Sequence, residues 1–351
     1  MHPTLHTDLC DLCGIRVPIV QTGMGWVAGP RLAAATANAG GLGILAAGTM
    51  DFDQLRDAIV ETRGRTDAPF GVNLRSDAPD AHDRCQLLID EGVRVASFAL
   101  APQPALIELL KEGGVIVIPS IGAKRHAEKV VAWGADAVLV QGGEGGGHTG
   151  PVPTSLLLPQ VLDTVDVPVI AAGGFFDGRG LVAALAYGAA GIAMGTRFLL
   201  TRDSPVGQAV KDVYLSKGVT DTIVTTQVDG VPHRVLRTDF TEHIVRTGAL
   251  TALPRALKNA IRFRRLSGLR WRDLLVEGRA MRRSQNLSWS QVVMAANTPM
   301  LLKAAMVDGR PDLGVMSSGQ VVGVIDDLPS VAELIDRMVD EAETTLKRLG
   351  A

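Results

Sequence analysis

Short, nearly unbroken apolar runs alternate with amphipathic stretches from the start of the chain to about residue 200. Eight such runs read as strands: Val17–Gln21, Gly43–Ala46, Phe70–Asn73, Val95–Ala99, Val115–Ile118, Ala137–Gln141, Val167–Ala171 and Gly191–Met194. They are continuous rather than alternating, as strands buried on both faces of a parallel sheet should be. The stretches between them read as helices, among them Arg31–Ala39, Asp80–Glu91, Gln103–Glu112, Ala123–Trp133 and Gly178–Tyr187. Gly40, Gly92, Gly113, Gly134 and Gly188 follow these segments and are placed to end them in a left-handed turn.

Eight strand-helix units predict a closed (β/α)8 TIM barrel. An open doubly wound sheet has the same periodicity, but it would concentrate its functional signal after the first strand. Here unusual residues follow strands one, three, five, six, seven and eight, as in a barrel whose site is built from many loops. From Thr201 the alternation stops, and no strand is read between residues 201 and 300. That stretch carries Arg262, Arg264, Arg265, Arg270, Arg272, Arg279, Arg282 and Arg283, and reads as a mostly helical insertion that could serve as a substrate lid. Ser288–Leu302 reads as a helix leading back to the barrel. Gly314–Ile325 is a glycine-punctuated apolar run, and Ser330–Leu349 is amphipathic. Residues 1–200 and 301–351 would then form the barrel, with its last helix supplied from the C-terminus.

Composition narrows the function classes. The 351 residues are 46% hydrophobic and 21% charged, with a net charge of −2, so the chain reads as globular and lacks the basic excess of a general nucleic-acid binder. No run reaches the roughly 20 apolar residues of a membrane helix. The first residues show no secretory pattern, and three cysteines make no disulfide framework. A cytoplasmic protein is the expectation.

The densest chemistry lies in Gln141–Gly150, QGGEGGGHTG, after the sixth strand. Clustered glycines let a backbone approach a ligand closely and present its N–H groups. Within them His148 is placed like a catalytic group, because an imidazole moves protons near neutrality. The other six histidines have no comparable setting. The segments Ala171–Asp177 (AAGGFFD) and Ala193–Phe198 (AMGTRF) put glycines after strands seven and eight, where barrels bind phosphate. The N-terminus of Gly178–Tyr187 and the Thr196 hydroxyl are candidate phosphate donors.

Other motifs weigh less. Gly145-x-Gly147-x-x-Gly150 runs into Pro151 instead of opening a helix, so it is not a dinucleotide fingerprint. Gly23-x-Gly25-x-x-Ala28 lacks an acid at the end of the second strand. Cys10-x-x-Cys13 has no partner pair for zinc, and no metal site is expected. The basic stretch Arg262–Arg272 reads as a solvated helix face, or as an attractor for an anionic substrate handle.

Taken together, Pro18–Met24, Gly71–Asn73, Gln141–Gly150, Ala171–Gly174 and Met194–Phe198 resemble the nitronate monooxygenase family, to which the enoyl-acyl-carrier-protein reductase II enzymes are related. The resemblance implies FMN at the strand C-termini. It implies contacts from Gly23, Met24, Asn73, Gln141, Gly146, Gly147, Gly173, Gly174, Gly195 and Thr196, with Ser318 and Gly319 farther out. His148 would accept the proton. The first-strand loop departs from nitronate-oxidising members, which usually show Pro-Met and then small residues. Here it reads Gly-Met-Gly-Trp, which would bring Trp26 into the pocket; Trp26 and Arg197 are assigned to the substrate. The insertion sequences Val231–Arg237 and Met294–Met300 are more similar to an actinobacterial steroid-degradation branch of the family. That branch implies α,β-dehydrogenation of a coenzyme A thioester of the indanone remnant of cholesterol, with NAD(H) or NADP(H) as electron partner. Nitronate oxidation with O2, a non-catalytic flavin binder and a flavin-free phosphate-binding barrel such as an aldolase stand as alternatives. A homodimer is compatible with all of them.

Overall fold

A computed structural model describes residues 1–99, 101–246 and 297–350. In chain order the strands are β1 (Ile19–Gln21), β2 (Leu42–Ala46), β3 (Phe70–Leu74), β4 (Val95–Phe98), β5 (Ile116–Ile121), β6 (Val138–Gln141), β7 (Gly147–His148), β8 (Val169–Ala172), β9 (Gly191–Met194), β10 (Thr222–Thr225) and β11 (His233–Leu236). Eight of them, β1 to β6 with β8 and β9, close into a parallel barrel. Closure runs through β1 and β9, with Ile19 opposite Ile192 and Gln21 opposite Met194. Every predicted strand is present, with ends displaced by at most three residues, because both faces of each are covered and the apolar runs are long enough to register that.

The barrel interior is packed by Val20, Ile44, Val95, Ile118, Leu139 and Ile170, continuous with Leu9, Cys10 and Cys13 of the helix Asp8–Cys13. That helix plugs the end of the barrel where the strands begin. Burial pushes the Cys13 thiol up to about 12, far from a reactive thiolate. The Cys10-x-x-Cys13 pair therefore belongs to the core, as its sequence setting suggested.

Helices cover the outside, and most predicted ends hold to within a residue. One end is corrected. Gly113 has φ −79°, and the left-handed residue is Gly114 at +75°. Gly113 is needed for closeness instead, since a Cβ there would lie 2.5 Å from the Ile89 side chain.

The outer layer is completed from the C-terminus. Val331–Leu349 opens on a Ser330–Glu333 capping box and buries Val331, Leu334, Ile335, Met338, Ala342 and Leu346. Its apolar face packs against Gly178–Tyr187 and against Pro30–Asn38. Each fully buried aliphatic contributes about 1.5–3 kcal/mol.

The stretch after residue 200 differs from expectation where it is described. It holds the helix Gln208–Leu215, and it also holds β10 and β11, which the apolar pattern does not predict. These two pair antiparallel, and β11 adds β7 on its other side. The two strands have only four residues each and buried and exposed positions do not alternate cleanly, so period-two patterning is faint. The arginine-rich stretch, with Arg262–Arg272, and most of Ser288–Leu302 lie outside the described residues. The described part of the latter belongs to the helix Asn297–Met306. Among the described residues no helix is long and apolar enough to cross a membrane.

Candidate active site

A cavity of about 340 Å³ opens where the barrel strands end. Asn73, Ser97, Ser120 and Gln141, from β3 to β6, line it with amides and hydroxyls; Gly23, Met24, Gly173, Gly174, Gly195 and Thr196 line it from the loops after β1, β8 and β9. Gly146, Gly147 and His148 complete the wall. Several glycines are required here by proximity. A Cβ on Gly146 would come within 2.5 Å of the Ser318 backbone, and one on Gly23 within 2.5 Å of the Asn73 side chain. Gly173 and Gly174 hold φ of +100° and +85°, which side chains rarely adopt.

The β6–β8 loop is pinned at both ends. Glu144 accepts hydrogen bonds from the Thr154 N–H at 2.9 Å and its hydroxyl at 2.8 Å. The carboxylate thereby caps the helix Thr154–Leu162, where negative charge is favoured. Gln141 donates from Nε2 to the His148 carbonyl at 2.8 Å. Both glycine-loop residues named from the sequence, Gln141 and His148, are thus joined through one hydrogen bond.

His148 does not stand alone. Its Nε2 lies 2.6 Å from Oδ2 of Asp229. That carboxylate is buried, and it also receives the Thr298 hydroxyl at 2.8 Å and faces Nδ1 of His233 at 3.4 Å. The far nitrogen of His233 meets the Ser317 hydroxyl at 2.8 Å. The two imidazoles pack edge to face with centroids 4.7 Å apart. Burial alone would raise the Asp229 carboxyl, but hydrogen bonds from His148 and His233 outweigh it and hold it well below the usual carboxylate range. Burial pushes His233 below the ordinary histidine range, against the pull of Asp229. An ionised Asp229 can only accept, so His233 donates from Nδ1 and takes the Ser317 proton on Nε2. The ligand atoms of His148, Asp229 and His233 lie within 4.8 Å of one another, a grouping the sequence reading did not expect.

By sequence His233 has no special setting; in the structure it faces both Asp229 and His148. Residue register explains the miss: β11 pairs with β7 so that His233 lies opposite His148. Asp229, Thr298 and Ser317 were also missed, being 69 to 84 residues from their partners in sequence. Asp229-Gly230 before a short strand is a turn signal, and it could have hinted at a hairpin.

Four other expectations change. Arg197 does not line the cavity; it is 2% exposed and paired with Asp327 Oδ1 at 2.8 Å and the Leu200 carbonyl at 2.6 Å. It ties the β9 turn to the C-terminal segment, and its guanidinium is turned away from the cavity toward Asp327. Trp26 also lies outside the lining; its φ is +66°, and its indole donates to the Pro299 carbonyl at 3.0 Å. It joins the β1 loop to the helix Asn297–Met306. Ser318 and Gly319 sit behind the wall, where Gly319 N–H donates to the Thr196 hydroxyl at 3.0 Å; Ser317 is the residue that reaches the cavity. The N-terminus of Gly178–Tyr187 is already satisfied: Asp177 accepts from Gly180 N–H and Glu341 from Gly178 N–H, each at 2.9 Å. The short turn Thr196–Leu199, which has no side-chain cap, is the candidate anion seat that remains at the cavity.

The residues fit FMN. Glycine backbone forms the cradle, the Thr196 turn can take a phosphate, and the amides of Asn73 and Gln141 can meet ring heteroatoms. The family model described as nitronate monooxygenase matches residues 6–341. A relative from Mycobacterium tuberculosis is 62% identical over 99% of both chains, and one from Rhodococcus jostii is 60% identical over 99% of both. Both are named (3aS,4S,5R,7aS)-5-hydroxy-7a-methyl-1-oxo-octahydro-1H-indene-4-carboxyl-CoA dehydrogenase. The solved structure of FabK from Thermotoga maritima superimposes with a TM-score of 0.82 and 36% identity, covering 98% of each chain. With sequence, barrel and cavity in agreement, this chain belongs to the nitronate monooxygenase family of flavin-dependent oxidoreductases.

Proposed function

We propose that this protein binds FMN in the cavity at the strand ends and dehydrogenates a hydroxy-oxo-octahydroindene carboxylic acid carried as its coenzyme A thioester, between the carbons α and β to the thioester. The observation that carries the reading is His148, held in the cavity wall by Asp229 at 2.6 Å. Substrate class comes from the relatives of 60–62% identity, which match over 99% of both chains.

When bound, the flavin supplies a two-electron acceptor for hydride. The chain does the rest. With Nε2 engaged by Asp229, His148 has Nδ1 to accept the proton on the carbon next to the thioester carbonyl. That carbonyl acidifies the proton, so one imidazole near neutrality is a sufficient base, worth about 10²- to 10⁴-fold in rate. Gln141 fixes the backbone of the base, and Glu144 fixes the loop that carries it. A nicotinamide, NAD(H) or NADP(H), is the proposed electron partner. Residues 201–300 are proposed to cover the substrate, with Arg262–Arg272 drawing in the anionic coenzyme A. Cytoplasmic residence belongs to the same reading, supported by three buried free cysteines.

His148→Ala should slow flavin reduction by the octahydroindene thioester about 10²- to 10⁴-fold and leave FMN content intact, as followed by stopped-flow absorbance. Undiminished reduction would remove His148 from the mechanism. Reduction by alkyl nitronates but not by the thioester would instead favour nitronate oxidation. A flavin that stays oxidised with every substrate would mark a binding protein, and a chain that takes up no FMN would point to a flavin-free barrel enzyme.

A further inference from the structure

We infer that Asp229 is the positioning residue of this site: it holds His148 by Nε2, so that Nδ1 is the proton-accepting nitrogen. Asp229 is fixed in turn by Thr298, by His233 and, through His233, by Ser317. The inference rests on the assignment of His148 as the base.

His148 sits on a glycine loop with its side chain 61% exposed, so packing alone does not set its ring. A neutral imidazole has two tautomers of similar energy, and only one leaves Nδ1 bare. A buried carboxylate 2.6 Å from Nε2 selects that tautomer, since a hydrogen bond to a charged group is worth roughly ten- to hundredfold. Asp229 is itself held on both oxygens. Three donors converge on its Oδ2, and Oδ1 receives the Val231 N–H at 3.3 Å.

The origin of these groups gives the arrangement its meaning. Asp229 lies in the connection from β10 to β11, His233 opens β11, and Thr298 lies in the helix Asn297–Met306. None belongs to a barrel strand. The barrel supplies the cradle and the base, and the chain beyond β9 supplies the group that orients it. The Ser317 hydroxyl, with its proton committed to His233, presents only lone pairs to the cavity it lines.

Nuclear magnetic resonance on 15N-histidine-labelled holoprotein tests this, with the His148 signals identified by their loss in His148→Ala. In the unmodified protein the neutral His148 ring should carry its proton on Nε2. In Asp229→Asn that preference should vanish, because the carboxylate that accepts the Nε2 proton has gone. The ionisable groups touching the ring among the described residues are Asp229 and His233. An Nδ1–H tautomer in the unmodified protein would overturn the inference even if Asp229→Asn failed to fold. So would an unchanged tautomer in a folded Asp229→Asn.

Kinetics with the octahydroindene thioester separate the two levels. Asp229→Asn should slow flavin reduction roughly ten- to hundredfold without raising KM, and should add nothing in a His148→Ala background. Full reduction in His148→Ala sinks the functional reading. A slow His148→Ala beside a normal Asp229→Asn sinks only the positioning role.

Discussion

Gly146 has no room for a methyl group, because the Ser318 backbone lies where a Cβ would go. Gly146→Ala must therefore push the glycine loop off the 318–319 segment. Overpacking of this kind costs about 1–3 kcal/mol, so FMN affinity should fall roughly tenfold to hundredfold, measured by flavin fluorescence titration. An affinity within twofold of the parent would mean the loop yields freely. Glycines of this sort are readable from sequence, since their clustering after a strand has few other uses. His148 was legible for the same reason. Asp229, Thr298 and Ser317 were not: each is an ordinary polar residue whose importance is a distance in space. Arg197 and Trp26 misled for the converse reason. Both adjoin cavity residues in sequence, but their side chains turn away, to Asp327 and to the Pro299 carbonyl.

At the scale of elements, the C-terminal helix Val331–Leu349 does what its amphipathic pattern announced, closing the outer ring against Gly178–Tyr187. The two helices touch at Gly178, where a Cβ would sit 2.2 Å from the Met338 carbonyl oxygen. Because the obstacle is backbone, a rotamer change cannot relieve it. Gly178→Ala should destabilise the fold by about 1–3 kcal/mol in urea unfolding, with the flavin spectrum of the native protein unaltered. Parent-like stability would show that the helices can part. The eight barrel strands were legible because burial on both faces leaves a continuous apolar signature. β10 and β11 were not, since strands of four residues, paired to each other and β11 also to the two-residue β7, are specified by their partners more than by their own pattern.

For the molecule as a whole, the buried His233–Asp229 pair ties stability to pH. His233 titrates below its ordinary range because burial disfavours its charged form. Between that lowered value and about 6.5 the unfolded chain binds the extra proton, so acid favours unfolding. Asp229, held below the usual carboxylate range, adds a loss of the same sign at still lower pH. The thermal midpoint should thus decline from pH 7.5 to pH 5. The decline should be shallower in His233→Gln, by scanning calorimetry. An equal slope in both proteins would remove His233 from the pH response.

The pairing of β11 with β7 places His233 directly across from His148. Neighbouring residues of a strand project to opposite sides, so sliding β11 by a single residue would swing His233 away and put another side chain in its place. The span of seven residues between β10 and β11, 226 to 232, with one more or one fewer, would be enough to bring that about. Two chains with identical barrels and identical glycine loops could then differ in how the loop histidine is held, solely through the length of one hairpin turn.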